Sequence, residues 1–141
     1  MKKEERVQAA LEKRDRMLAY ENRLYDNGCL FVAGVDEVGR GPLAGPVVAA
    51  AVVLPRECAI LGIDDSKKIP EARRERLCDE ILAQSVAWGI GLADNGTIDR
   101  INILEATKRA MLDALSAAAS TCPIGHVLID ALTLSACRIP Q

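Results

Sequence analysis

The chain has 141 residues, half of them apolar, enough for one modest core and so for one domain rather than two. A net charge of −2 excludes a protein coated in positive potential, the usual footprint of a non-specific nucleic-acid binder, so any nucleic-acid contact must be local. Four aromatics (Tyr20, Tyr25, Phe31, Trp88) are too few for the stacking platforms of single-strand RNA binders, and five cysteines without a C-x-x-C spacing suggest neither a disulfide framework nor a thiolate metal site.

Residues 4–26 place Val7, Ala10, Leu11, Met17, Leu18, Leu24 and Tyr25 at spacings of three, four and seven among charges, which predicts one amphipathic helix. Asn27-Gly28 closes it, because glycine readily takes the left-handed conformation at a helix end. The charged face is balanced in sign and reads as solvated rather than as a binding arm. Residues 1–28 thus form an N-terminal helical extension to a domain at 29–141.

A strand follows at 30–38, then a glycine-punctuated loop at 39–45. The second strand, 47–54, is apolar on both faces and belongs in the sheet interior, with Pro46 and Pro55 as boundaries. The longest apolar run, 46–55, is too short to cross a bilayer, and the N-terminus is charged, so the expectation is a cytoplasmic protein with reduced thiols. Residues 64–68 make a polar loop leading to Pro70, which suits the first turn of a helix carrying Leu77, Ile81 and Leu82 inward.

A third strand is predicted at 86–93. Asn102 with Glu105 three residues on predicts a capping box, and Leu104, Met111, Leu115 and Ala118 form the buried stripe of a helix that stops before Pro123. Residues 126–129 then make a short strand that delivers Asp130 at its end. These elements compose an α/β fold with a sheet of mixed strand directions.

Asp36 and Glu37 stand inside an otherwise apolar strand, where unpaired charge is costly and calls for a cation; an ion pair to Arg40 is the structural alternative. Asp130 repeats the pattern. Carboxylates at strand ends without cysteine or histidine suit Mg²⁺ or Mn²⁺ rather than zinc, and the sole histidine, His126, reads as a surface or packing residue. Asp36 and Asp130 are expected on neighbouring strands, close enough to share one cation. Successive strand residues point to opposite faces, so Glu37 contributes through its backbone carbonyl or to a second position.

The most informative stretch is Ala33-Gly34-Val35-Asp36-Glu37-Val38-Gly39-Arg40-Gly41-Pro42-Leu43-Ala44-Gly45-Pro46, and the segment 32–54 around it resembles the signature of ribonuclease HII. The resemblance continues, in order, through Asp65-Ser66-Lys67-Lys68, Ile98-Asp99-Arg100-Ile101-Asn102-Ile103-Leu104 and Val127-Leu128-Ile129-Asp130, and covers about residues 30–141. It implies a ribonuclease H-like mixed β-sheet flanked by helices. It further implies an endonuclease that degrades the RNA strand of RNA/DNA hybrids and incises at ribonucleotides embedded in DNA, leaving a 5′-phosphate. Asp36, Glu37 and Asp130 become catalytic, metal-binding carboxylates for Mn²⁺ or Mg²⁺, with two cations serving an in-line displacement. Gly39, Arg40 and Gly41 would face the ribonucleotide 2′-hydroxyl and adjoining phosphates, and Ser66, Lys67 and Lys68 would hold phosphates.

Two family features do not occur up to Gln141: a fourth carboxylate in a Lys-Gly-Asp segment and a sugar-stacking tyrosine. Tyr20 and Tyr25 precede the first strand and do not match that tyrosine by motif. Ala131 stands where many relatives have glycine. The expectation is therefore an incomplete catalytic domain, monomeric if complete. The alternative is a truncated, inactive domain that binds hybrid duplex or a partner without cutting. A nucleotide-cradling role for the 39–45 loop is disfavoured, since no G-K-[ST] follows and the loop leads into a strand.

Overall fold

In the computed structural model, residues 2–38, 45–58, 60–63, 68–130 and 132–141 are described. The helix predicted at 4–26 is two helices, α1 (Lys3–Met17) and α2 (Ala19–Asp26), separated at Leu18, whose ψ is 1°. Leu18 N–H still donates to the Arg14 carbonyl and its own carbonyl accepts from Asn22, so the chain bends without unravelling. No proline or glycine marks the bend, and periodicity alone cannot see it. Gly28 ends α2 as expected, at φ +95°, with its N–H donating to Tyr25 and that of Cys29 to Leu24.

Tyr25 anchors α2. Its ring is buried and its hydroxyl donates to the Leu54 carbonyl at 3.4 Å, and burial pushes the phenol above its ordinary pKa. By contrast, α1 buries none of its residues.

Four strands, β1 (Val32–Val38), β2 (Val47–Val53), β3 (Ala87–Ala93) and β4 (His126–Ile129), form one sheet in the order β3-β2-β1-β4. The first three are antiparallel neighbours and β4 runs parallel to β1, the mixed arrangement that the sequence predicts. Between β2 and β3 lies α3 (Glu71–Gln84); α4 (Asn95–Ile101) and α5 (Ile103–Ala119) carry the chain from one sheet edge to the other. Helix α4, which contains Gly96, is absent from the sequence expectation. Asp94 nucleates it, accepting a hydrogen bond from Thr97 N–H at 2.8 Å.

Asn102, at φ +76°, ends α4 and caps α5, its side chain accepting from Glu105 N–H at 3.0 Å. The capping box is half realised, since the Glu105 carboxylate meets Lys108 at 3.5 Å.

Helix α5 lies across one sheet face because both surfaces are made of small residues. A Cβ on Gly89 would stand 2.1 Å from the Ala114 carbonyl oxygen, and one on Gly91 1.8 Å from that of Ala110. The buried stripe of α5 runs through Ala106, Thr107, Ala110, Met111, Ala114, Leu115 and Ala118. Leu104, expected in that stripe, is instead exposed, since seating the alanines on the glycines turns it outward. On α3 Leu77 is buried as predicted and Ile81 half-buried, but Leu82 is exposed, and the helix covers a small separate cluster with Cys58 and Ile60.

The interior position predicted for β2 holds, but its two faces differ. Val47, Ala49, Ala51 and Val53 are completely buried beneath α5, while Val48, Ala50 and Val52 are only half-buried on the far side. On that far side Val38, Trp88, Ile90 and Leu92 are exposed. All five cysteines are unpaired thiols. No helix among the described residues is long and apolar enough to cross a membrane.

Candidate functional site: two carboxylates at the end of parallel strands

The parallel pairing of β1 with β4 places the acids. Ala33 pairs with Val127, Gly34 with Leu128 and Val35 with Ile129. Ala33, Val35 and Val127 are buried toward α5, so Gly34 and Leu128 face the other way. One step further along each strand are Asp36 and Asp130, on the same bare face and at the same level. Both line one groove, whose walls include Gly34, Ala50, Val52, Leu128 and Thr133.

Asp36 is exposed, and its Oδ1 accepts the Glu37 backbone N–H at 2.8 Å, which holds the carboxylate near the strand end. Glu37 is half-buried on the side of Val35, away from Asp36. The three predicted acids therefore divide, two on one face and one on the other. Among the described residues no group of three or more histidine, cysteine or acidic side chains converges. His126 begins β4 at the opposite end from Asp130, half-buried with a buried Nε2 that lacks a protein partner among the described residues.

Two carboxylates with no nitrogen or sulfur donor beside them suit a hard divalent cation that keeps water on its remaining positions. Asp36 and Asp130 would hold it by their side chains, whereas Glu37 faces away from them.

Gly39, Arg40, Gly41, Ser66 and Lys67 lie outside the described residues, and so does the Asp36–Arg40 alternative. Lys68 is exposed and lines a different cavity, with Arg14 and Arg73. Tyr20 of α2 was not expected at this site, yet it lines the groove of Asp36 and Asp130, with the Arg23 guanidinium 5.2 Å from its ring centroid. Nothing in the local pattern signals this, because α2 precedes the sheet and meets the groove only through the tertiary fold.

The strand order, the parallel return to β1 and acids at the ends of the two adjoining strands define a protein of the ribonuclease H-like fold class. Solved structures agree. The ribonuclease H2 of Pyrococcus horikoshii OT3 superposes with a TM-score of 0.57 at 28% identity, over 73% of this chain and 52% of that one. Bst-RNase HIII in complex with Mn²⁺ does so with a TM-score of 0.56 at 27% identity, over 75% of this chain and 38% of that one.

The ribonuclease HII family model matches residues 33–139, and the chain belongs to that family. Similar relatives include ribonuclease HII of Bacillus cereus strain Q1, 53% identical over 140 residues, and that of Bacillus anthracis strain A0248, 51% identical over the same length. Both alignments cover 99% of this chain and 53% of the relative, so the chain spans about half the length of the curated relatives it matches.

Proposed function

We propose that this chain carries the cation-binding centre of an endoribonuclease that cuts the RNA strand of RNA/DNA hybrids and incises at ribonucleotides embedded in DNA. The observation that carries this reading is the placement of Asp36 and Asp130 at one level of two neighbouring strands, on a face open to a duplex. In it, residues 1–28 are an extension and 29–141 the catalytic domain.

Asp36 and Asp130 bind Mg²⁺ or Mn²⁺ through their carboxylates, and Glu37 serves a second position. A bound divalent cation supplies Lewis acidity and a lowered pKa for attacking water in phosphodiester hydrolysis, which leaves a 5′-phosphate. Gly39, Arg40 and Gly41 approach the ribonucleotide, where the 2′-hydroxyl distinguishes RNA from DNA. Ser66, Lys67 and Lys68 hold phosphates and set the duplex in place without reading bases.

The test uses a duplex with one embedded ribonucleotide, cut by a version of the chain extended with the remaining C-terminal residues of the Bacillus cereus relative. Asp36→Asn and Asp130→Asn should each slow cleavage at least about a hundredfold, as loss of positioned charge typically does. In the chain itself both variants should weaken Mn²⁺ binding, measured by water-proton relaxation. Parent-like cleavage and Mn²⁺ affinity in both variants would remove the assignment.

A further inference from the structure

A second cavity, of about 420 Å³, lies between the helix pair and the chain leading into α3, outside the groove of Asp36 and Asp130. Its walls are apolar: Met17 and Leu18 come from the helix pair, and Leu54, Ile60 and Ile63 from the opposite side. Four cationic residues line it from both walls, Lys13 and Arg14 from α1 and Lys68 and Arg73 from the far side, against Glu21 as the one lining acid among the described residues. The charge balance along the α1 sequence conceals this convergence, which joins residues far apart in the chain.

The hydrogen bonding at the cavity is incomplete. Arg14 Nη1 donates to the Cys58 carbonyl at 3.4 Å and Nη2 meets Asp15 at 3.3 Å, but its Nε is buried and has no partner among the described residues. A buried donor left unpaired costs free energy that an acceptor would recover. The buried Oε2 of Glu21 likewise has no hydrogen-bond partner among the described residues. Arg73 lies over Gly62, where a Cβ would stand 2.5 Å from Nη2, so the absent side chain at that positive-φ residue makes room for the guanidinium. Neither Lys68 nor Arg73 has a carboxylate partner among the described residues.

The apolar lining decides what such cations hold. A nucleic-acid backbone offers phosphates but no aliphatic body to fill an apolar space, and small-molecule sites combine apolar walls with a few converging polar groups. Helix α1 sits over this space and buries none of its own residues, so the cavity takes the place of the core that would hold the helix down. We infer that the cavity binds an amphipathic anion, whose aliphatic chain lies against Met17, Leu54, Ile60 and Ile63. Its carboxylate or phosphate head is held by Arg14, Lys68 and Arg73. The site lies apart from the groove of Asp36 and Asp130 and shares only Lys68 with the nuclease reading.

The experiment is calorimetric titration of the chain with octanoate, decanoate and dodecanoate, and with decyl phosphate, decanol, inorganic phosphate, phosphatidylglycerol vesicles and a short RNA/DNA hybrid. One molecule of decanoate should bind per chain, tightening about tenfold or more per two added carbons. Decanoate against decyl phosphate identifies the preferred head group, and decanol should bind more weakly than both. Lys68→Gln with Arg73→Gln should weaken decanoate at least about tenfold, the size of loss expected when charge-assisted contacts go. Those residues are exposed, so the fold should survive, with circular dichroism as the check. Ala10→Trp, which fills the cavity from α1, should abolish binding and leave the helical signal intact. The inference is overturned by any of three results: no saturable decanoate binding, binding to vesicles or hybrid alone, or decanoate binding indifferent to Ala10→Trp and to the double variant.

Discussion

The two faces of the sheet come from the same four strands and differ in nearly everything else. Beneath α5 the sheet presents Ala87, Gly89, Gly91 and Ala93 from β3, and the helix answers with Ala106, Ala110, Ala114 and Ala118. The opposite face of β3 carries Trp88, Ile90 and Leu92, the larger and more hydrophobic side chains, exposed by 47%, 53% and 57%. Hydrophobic strength alone would have buried that second set. Close backbone approach decided otherwise: α5 seats on the glycines, and the bulky set is left on the bare face, the face that carries Asp36 on the far side of β2. The packed face builds the domain, and the bare face presents its chemistry.

The most severe way to break this contrast is Gly91→Val. The new Cβ would meet the Ala110 carbonyl, a backbone atom that cannot swing aside, so the cost should exceed about 3 kcal/mol, above the usual overpacking range. Urea unfolding should show loss of the cooperative transition, and a parent-like midpoint would mean that α5 does not lie this close to the sheet.

Asn102→Ala comes next, because it removes the α5 cap and forces alanine to φ +76°; a loss of about 1–2 kcal/mol is expected. Asn102→Gly keeps the backbone conformation and should lose only a few tenths of a kcal/mol, so equal losses in the two variants would show that backbone strain plays no part.

On the bare face, Trp88→Thr and Ile90→Thr should each change stability by no more than about 0.5 kcal/mol and raise solubility. Losses of core size would mean that this face is covered in solution, which sedimentation at rising concentration would reveal as self-association.

The smallest effect concerns Asp94 at the start of α4. The Thr97 backbone N–H, foremost, holds its carboxyl below the ordinary 3.8. A folded value below the unfolded one gives stability that is present above the unfolded value and lost as pH falls through the folded one. Melting temperature should therefore drop slightly more steeply below pH 3.8 in the parent than in Asp94→Asn, which keeps a capping oxygen but does not titrate. Parallel curves would show that the cap contributes nothing to the pH response.

Periodicity and turn chemistry sufficed to locate all four strands within two residues of their ends, the cap at Asn102, the glycine stop after α2 and the delivery of Asp130 by β4. Alternation along β1 also placed Asp36 and Glu37 on opposite faces. The bend at Leu18 and helix α4 escaped. The first has no local marker, and the second, which contains Gly96, starts at the side-chain cap of Asp94.

Local pattern thus determined the family, the strands and the residues that end them, because period, capping and motif order are properties of neighbours along the chain. It put Leu104 and Leu82 inward where they turn outward, and it left open which parity of β3 is inside, that Tyr20 reaches the groove of Asp36 and Asp130, and that Arg14, Lys68 and Arg73 share a cavity. Alternation says only that two faces differ. Which face is buried, and which distant side chains meet, depends on how closely a helix can approach a sheet, and that is settled by backbone contacts between residues far apart in sequence.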